Sequence, residues 1–169
     1  MDEQAAFAAF FQEHYPTLLR SAERRLSSRE DARDAAAETF MIAWRKYDPQ
    51  EPFRRVWLYK TLWNVVGSMY RRSSQELDLL RQLKDQEAHH AQDSTATEII
   101  GEAMDQLSAK DREVLRLTYW EGLSASEIAI VVGGSEQATW KRISRARAAV
   151  RDSILRSGVR PAAGVRFDD

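Results

Sequence analysis

Apolar side chains recur every three or four positions through most of this chain, and the recurrence breaks once, between residues 73 and 96. Such spacing gathers side chains on one face of an α-helix, whereas a half-buried strand alternates every second residue. In the first block Phe7, Phe10, Phe11, Leu18, Leu19, Ala22 and Leu26 form one stripe that ends near Ser27-Ser28. A second helix carries Ala36, Phe40, Ala43, Trp44 and Tyr47 on one side, has Asp31, Asp34 and Glu38 on or near the other, and stops at Asp48-Pro49. Residues 54–72 read as a third helix with Leu58, Leu62, Val65 and Met69 inward, while Trp57, Tyr59, Trp63 and Tyr70 spread beyond that stripe.

Residues 73–96 are rich in Ser, Gln, Asp and Ala and read as an inter-domain linker, with Leu77, Leu79, Leu80 and Leu83 offering an extension of the third helix or a short one of their own. Periodicity returns with Ile100, Ala103, Met104 and Leu107. Ser108 followed by Asp111, and Ser124 followed by Glu127, have the three-residue offset of helix starts, and Gly122 is a candidate helix stop between them. Seven Gly and four Pro in 169 residues leave few turn signals for a sheet. The expected fold is therefore all-α: two small helical domains, residues 1–72 and 97–157, joined by a flexible linker over 73–96 and followed by a flexible tail over 158–169.

Composition closes several other routes. With no Cys, disulfides, thiolate metal sites and a cysteine nucleophile are excluded. His14 lies on an amphipathic helix and His89-His90 in the polar stretch, none with a partner at metal-ligand spacing, and neither a Gly-rich phosphate loop nor a nucleophile elbow occurs. No catalytic residue, metal, cofactor or small-molecule substrate is expected, and Asp31, Asp34 and Glu38 read as a protein-binding face or as helix-start charges. The start Met-Asp-Glu-Gln lacks the basic and apolar regions of an export signal, and no apolar run approaches the roughly 20 residues that span a bilayer. A cytoplasmic protein without direct membrane insertion is the expectation.

The net charge of -1 conceals a partition. Residues 53–72 contain Arg54, Arg55, Lys60, Arg71 and Arg72 and no acidic residue, while the flanking stretches 1–52 and 73–113 are each more acidic than basic. Residues 133–160 carry Lys141, Arg142, Arg145, Arg147, Arg151, Arg156 and Arg160 against only Glu136 and Asp152. Two cationic segments in an acidic background are the electrostatic footprint of a chain that touches phosphates in two places. The aromatic residues of the first segment add faces on which unpaired bases can stack.

In the second segment, Gly133-Gly134 separate a short helix over 124–132 from a longer one that Ser135 can cap and that reaches about Leu155, which makes a helix-turn-helix. Thr139, Ile143, Ala146, Val150 and Ile154 form the inward stripe of the longer helix, so Gln137, Trp140, Lys141, Ser144 and Arg145 lie outward or at its margins, free to meet a groove. Glu136 at its start is discordant with a nearby phosphate. On pattern alone, a dimeric helix-turn-helix regulator that binds duplex DNA by itself remains an alternative.

The residues also resemble a known family, the bacterial RNA polymerase sigma factors of the extracytoplasmic-function group. His14-Tyr15-Pro16, Asp31-Ala32, Asp34, Glu38-Thr39-Phe40, Ala43-Trp44-Arg45, Phe53-Arg54, Trp57-Leu58-Tyr59, Asn64 and Arg71-Arg72 resemble sigma domain two. Asp111-Arg112-Glu113-Val114-Leu115, Tyr119, Glu121-Gly122-Leu123-Ser124, Glu127-Ile128-Ala129, Gly133, Ser135 and Arg145-Ala146-Arg147 resemble sigma domain four. The resemblance implies a non-enzymatic subunit that binds core polymerase, through the coiled coil of its largest subunit and its flap, and directs promoter recognition, DNA opening and initiation. It implies core docking through Asp31, Asp34, Glu38, Phe40 and Trp44. It further implies minus-ten contacts from Arg54, Arg55, Trp57, Lys60, Asn64, Arg71 and Arg72, with the loop 48–55 holding a flipped base. Minus-thirty-five contacts fall to Ser135, Gln137, Trp140, Lys141, Arg142, Ser144 and Arg145, the linker threads the RNA exit path, and an anti-sigma factor is an implied partner. Ala37, Pro52-Phe53 and Thr139-Trp140 depart from the family pattern on specificity surfaces, so the promoter sequence does not carry over.

Overall fold

The computed structural model describes residues 2–48, 50, 54–81 and 96–158, without the side chains of 75–81 and 96–97. Among them are seven helices and no strand, divided into two compact units, Met1–Gln86 and Glu87–Asp169. The linker expected over 73–96 lies in large part outside the described residues, as do Pro49, Pro52-Phe53, His89-His90 and the tail from 159.

The first unit packs three helices against one another: α1 (Glu3–Glu23), α2 (Arg29–Arg45) and α3 (Arg55–Arg81). Asp2 accepts from the backbone N–H of Gln4 at the start of α1, and Ser28 accepts from that of Asp31 at the start of α2. Pro16 sits inside α1, where its missing N–H and its ring cost about 3 kcal/mol; the burial of Phe10 before it and of Leu18 and Ala22 after it holds the helix together across that point. The core is Phe10, Leu18 and Ala22 from α1, Ala32, Ala35, Ala36, Phe40 and Ala43 from α2, and Val56, Leu58, Tyr59, Leu62, Val65 and Val66 from α3.

Helix α3 continues to Arg81, the extension past 72 that Leu77, Leu79 and Leu80 offer in the sequence. Two expectations change here. Trp44 and Tyr47, assigned to the same side as Ala36 and Phe40, are exposed and half-buried respectively. Of the four α3 aromatics left outside the inward stripe, Tyr59 is a core residue, and the exposed Tyr70 donates its hydroxyl to the backbone carbonyl of Arg25, tying α3 to the end of α1.

The second unit contains α4 (Ala96–Asp105), α5 (Ala109–Tyr119), α6 (Ala125–Val132) and α7 (Glu136–Arg156), with α7 packed against each of the other three. Serines start the last three helices. Ser108 accepts from the N–H of Asp111 at 3.1 Å, and Ser135 from that of Ala138 at 3.1 Å. Ser124 and Glu127 form a full capping box, the Ser124 N–H donating to the Glu127 carboxylate at 2.8 Å and the Glu127 N–H to the Ser124 hydroxyl at 3.3 Å. Gly133 (φ 81°) and Gly134 (φ 106°) adopt a left-handed backbone that lets the chain reverse between α6 and α7. Thr139, Ile143, Ala146, Val150 and Ile154 are buried, the inward stripe read from the sequence.

Candidate nucleic-acid interface

On α7 the outward side is polar and cationic. Gln137, Lys141, Ser144 and Arg145 are exposed, Ser135 caps the helix at the same end, and Trp140 is 55% exposed. Arg142 differs from its neighbours: its Nη1 donates to Asp111 Oδ1 at 2.6 Å, an ion pair that links α7 to α5 with both side chains about one-third exposed. The guanidinium expected among the DNA contacts is thus engaged within the unit, and Ser108 takes the Asp111 N–H while Arg142 takes its carboxylate. Arg147, one turn from Ile143, lies over the Tyr119 ring at 5.8 Å, an arrangement that sequence spacing does not reveal.

On α3, Trp57, Lys60, Asn64, Gly67 and Arg71 recur at three- and four-residue intervals opposite the buried Leu58, Leu62, Val65 and Val66. Lys60, Asn64 and Arg71 are exposed and Trp57 is half-buried, so an aromatic ring, an amide and two cations share one side of the helix. A β-carbon at Gly67 would stand 3.5 Å from Arg71 Nη1, which shows the guanidinium folded back along the helix over the glycine. Arg54 and Arg55 are exposed at the start of α3, where Arg55 lies 5.8 Å from the Tyr59 ring centre, and Arg72 is exposed one position beyond Arg71 with Nη2 donating to Ser68 Oγ at 3.4 Å. Of the loop 48–55 assigned to a flipped base, positions 49 and 51–53 lie outside the described residues.

The acidic side of α2 is likewise solvent-facing: Asp31, Asp34 and Glu38 are exposed in the first three turns, followed by Met41 and Arg45 on the same side. Phe40, expected to dock on polymerase alongside them, is only 3% exposed. It lies on the opposite side of α2, with its ring 4.8 Å from Phe11 and 5.9 Å from Tyr15, because the same helical turn that points Glu38 and Met41 outward points Thr39 and Phe40 into the unit. Phe40 forms part of an apolar groove between α1 and α2, about 400 Å³ in volume, lined also by Phe7, Phe11, Tyr15, Met41 and Trp44. Met41 and Trp44 are 58% and 41% exposed at its rim, and Phe7 packs edge-on to Trp44 at 4.8 Å. Sequence periodicity marked Trp44 but not Met41.

Nothing among the described residues groups into a metal site, and no described helix is long and apolar enough to cross a membrane. His14 packs edge-on against Phe10 at 4.7 Å and stands 4.0 Å from Glu13.

Two helical units, each presenting a cationic helix side to solvent and the second built on a helix-turn-helix, are the arrangement of a nucleic-acid-binding protein. Residues 10–76 match the family described as Sigma-70 region 2, and residues 97–150 match Sigma-70, region 4. The chain is 28% identical over 169 residues to the ECF RNA polymerase sigma factor SigL of Mycobacterium tuberculosis, covering 93% of each. It is 30% identical over 162 residues to the RNA polymerase sigma factor CnrH of Cupriavidus metallidurans, covering 86% of this chain and 84% of that one. Its structure is similar to the sigma factor RpoE in complex with the anti-sigma factor NepR from Bartonella quintana, with a TM-score of 0.69, 25% identity, and coverage of 88% of this chain and 96% of that one. This chain belongs to the extracytoplasmic-function group of RNA polymerase sigma factors, the subunits that bind core polymerase and promoter DNA and direct transcription initiation.

Proposed function

We propose that the three solvent-facing surfaces divide the work of initiation among them. The α2 side bearing Asp31, Asp34 and Glu38 docks on the coiled coil of the largest polymerase subunit, with Trp44 and Met41 as its apolar anchors and Phe40 beside them in the groove between α1 and α2. Helix α3 holds the minus-ten element through Arg54, Arg55, Lys60, Asn64, Arg71 and Arg72, the cations neutralising phosphate while Trp57 offers a face to an unpaired base. Helix α7 enters the major groove of the minus-thirty-five element with Gln137, Trp140, Lys141, Ser144 and Arg145 and with the Ser135 end nearest the bases. Arg142 supports that helix through Asp111. The second unit also meets the polymerase flap, and the segment between the units threads the RNA exit path.

The observation that carries this reading is that each of the two units has an acid-poor, cationic helix side, Lys60–Asn64–Arg71 in the first and Gln137–Lys141–Ser144–Arg145 in the second, and that the first also has an acidic side on α2. Because RpoE is held by NepR, an inhibitory anti-sigma partner is proposed for this chain too. Reconstitution with core polymerase, followed by sequencing of the transcripts started, tests the assignment. Selective starts preceded by two spaced elements are expected, and core enzyme that gains no selectivity would overturn it.

A further inference from the structure

Trp140 is chemically unlike its outward neighbours in the first three turns of α7, Gln137, Lys141, Ser144 and Arg145. At 100° per residue it lies about 40° around the helix from Ser144 and about 60° from Gln137, so the three share one side. It stands just over one turn inside the Ser135 cap, in the part of a recognition helix that reaches base edges. Its neighbours Gln137, Lys141, Ser144 and Arg145 all carry hydrogen-bonding groups for base edges or phosphates. An indole carries no charge, no acceptor and one N–H, so it neither neutralises a phosphate nor makes a bidentate pair with a base. It is 55% exposed, so its ring offers apolar surface that gains free energy when an apolar group covers it.

Along the floor of the major groove the apolar group presented to a protein is the C5-methyl of thymine. We infer that Trp140 reads a thymine methyl in the upstream promoter element, specifying that base pair by apolar contact where a basic side chain would specify it by hydrogen bonds. The inference rests on the assignment of α7 to that element and adds the chemistry of one of its positions. Thymine and uracil pair alike and differ here by the methyl alone, which isolates the contact from every hydrogen bond around it.

The test uses holoenzyme reconstituted with core polymerase and the promoter duplex defined by its own start sites, with each thymine of the upstream element replaced in turn by deoxyuridine. At one or two positions the wild-type holoenzyme binds the deoxyuridine duplex about fourfold more weakly, the value of one buried methyl group. Trp140→Ala binds both duplexes alike at the weaker level, and Trp140→Phe keeps part of the difference. Because the ring is exposed, both variants are expected to melt with the wild type. An upstream element lacking thymine on either strand, a wild-type protein indifferent to deoxyuridine throughout, or a methyl effect that survives in Trp140→Ala would each overturn the inference while leaving α7 as the reading helix. Loss of all start-site selectivity in the wild-type reconstitution would instead overturn the assignment of α7 itself.

Discussion

Helix α7 has its start fixed locally, whereas among the described residues nothing so local marks the start of helix α3. Ser135 takes the Ala138 N–H and two left-handed glycines reverse the chain just before it, which fixes where α7 begins, and its buried stripe packed on α4, α5 and α6 decides which side faces solvent. For α3 the outward side of Lys60, Asn64 and Arg71 follows from burying Leu58, Leu62, Val65 and Val66 against α1 and α2, and from the Tyr70 hydroxyl held by the Arg25 carbonyl. Because the two helices belong to separate compact units, damage to the α1–α2 core should reach the proposed minus-ten surface on α3 and spare the α7 surface.

The largest expected effect breaks the first unit. Phe40→Ala removes a buried ring packed on Phe11 and Tyr15 and should cost about 3–5 kcal/mol. Hydrogen exchange on the full chain should show protection lost across α1–α3 and kept in α5–α7; equal loss in both would refute the independence argued above. Next, replacing Lys141 and Arg145 together by Ala should weaken holoenzyme binding to its promoter by about 2–4 kcal/mol and flatten the salt dependence, with capture by core polymerase unchanged. A parallel loss of polymerase capture would show that α7 does not serve DNA alone.

Smaller effects sharpen how α7 is held. Ser135→Ala should destabilise the second unit by about 1 kcal/mol, read by thermal unfolding, with exchange accelerated at Ala138. No change at that amide would remove the cap from the account. Arg142→Ala breaks an ion pair whose partners are about one-third exposed, so after solvent screening it should cost only about half a kcal/mol. Upstream-element binding by that variant should stay within about twofold of wild type; a loss as large as that of Lys141 would return Arg142 to the DNA-contacting set.

What was legible in the sequence follows the same division. Ser108, Ser124 with Glu127, the Gly133-Gly134 turn, Ser135 and the inward stripe of α7 all appear as read, because each depends on residues within one or two turns. The apolar periodicity likewise identifies α1, α2 and the body of α3. Contacts between distant positions were not legible: Arg142 with Asp111, Tyr70 with Arg25, Arg147 over Tyr119, and the depth of Tyr59 in the first unit. A cation at an outward-looking position reads the same whether it faces solvent or a carboxylate from another helix. The placement of the individual DNA and polymerase contacts came from resemblance, since spacing marks a side of a helix and not the partner that covers it.

The separation of duties along α7 has a use. Thr139, Ile143, Ala146, Val150 and Ile154 hold the helix, and Gln137, Trp140, Lys141, Ser144 and Arg145 contribute nothing to that interior. Their side chains can be exchanged as a set, like type in a fixed frame, without reopening the question of folding. With the proposed role of α7 in the upstream element, a library varied at those five positions and selected against a reporter should yield folded variants that start from synthetic promoters.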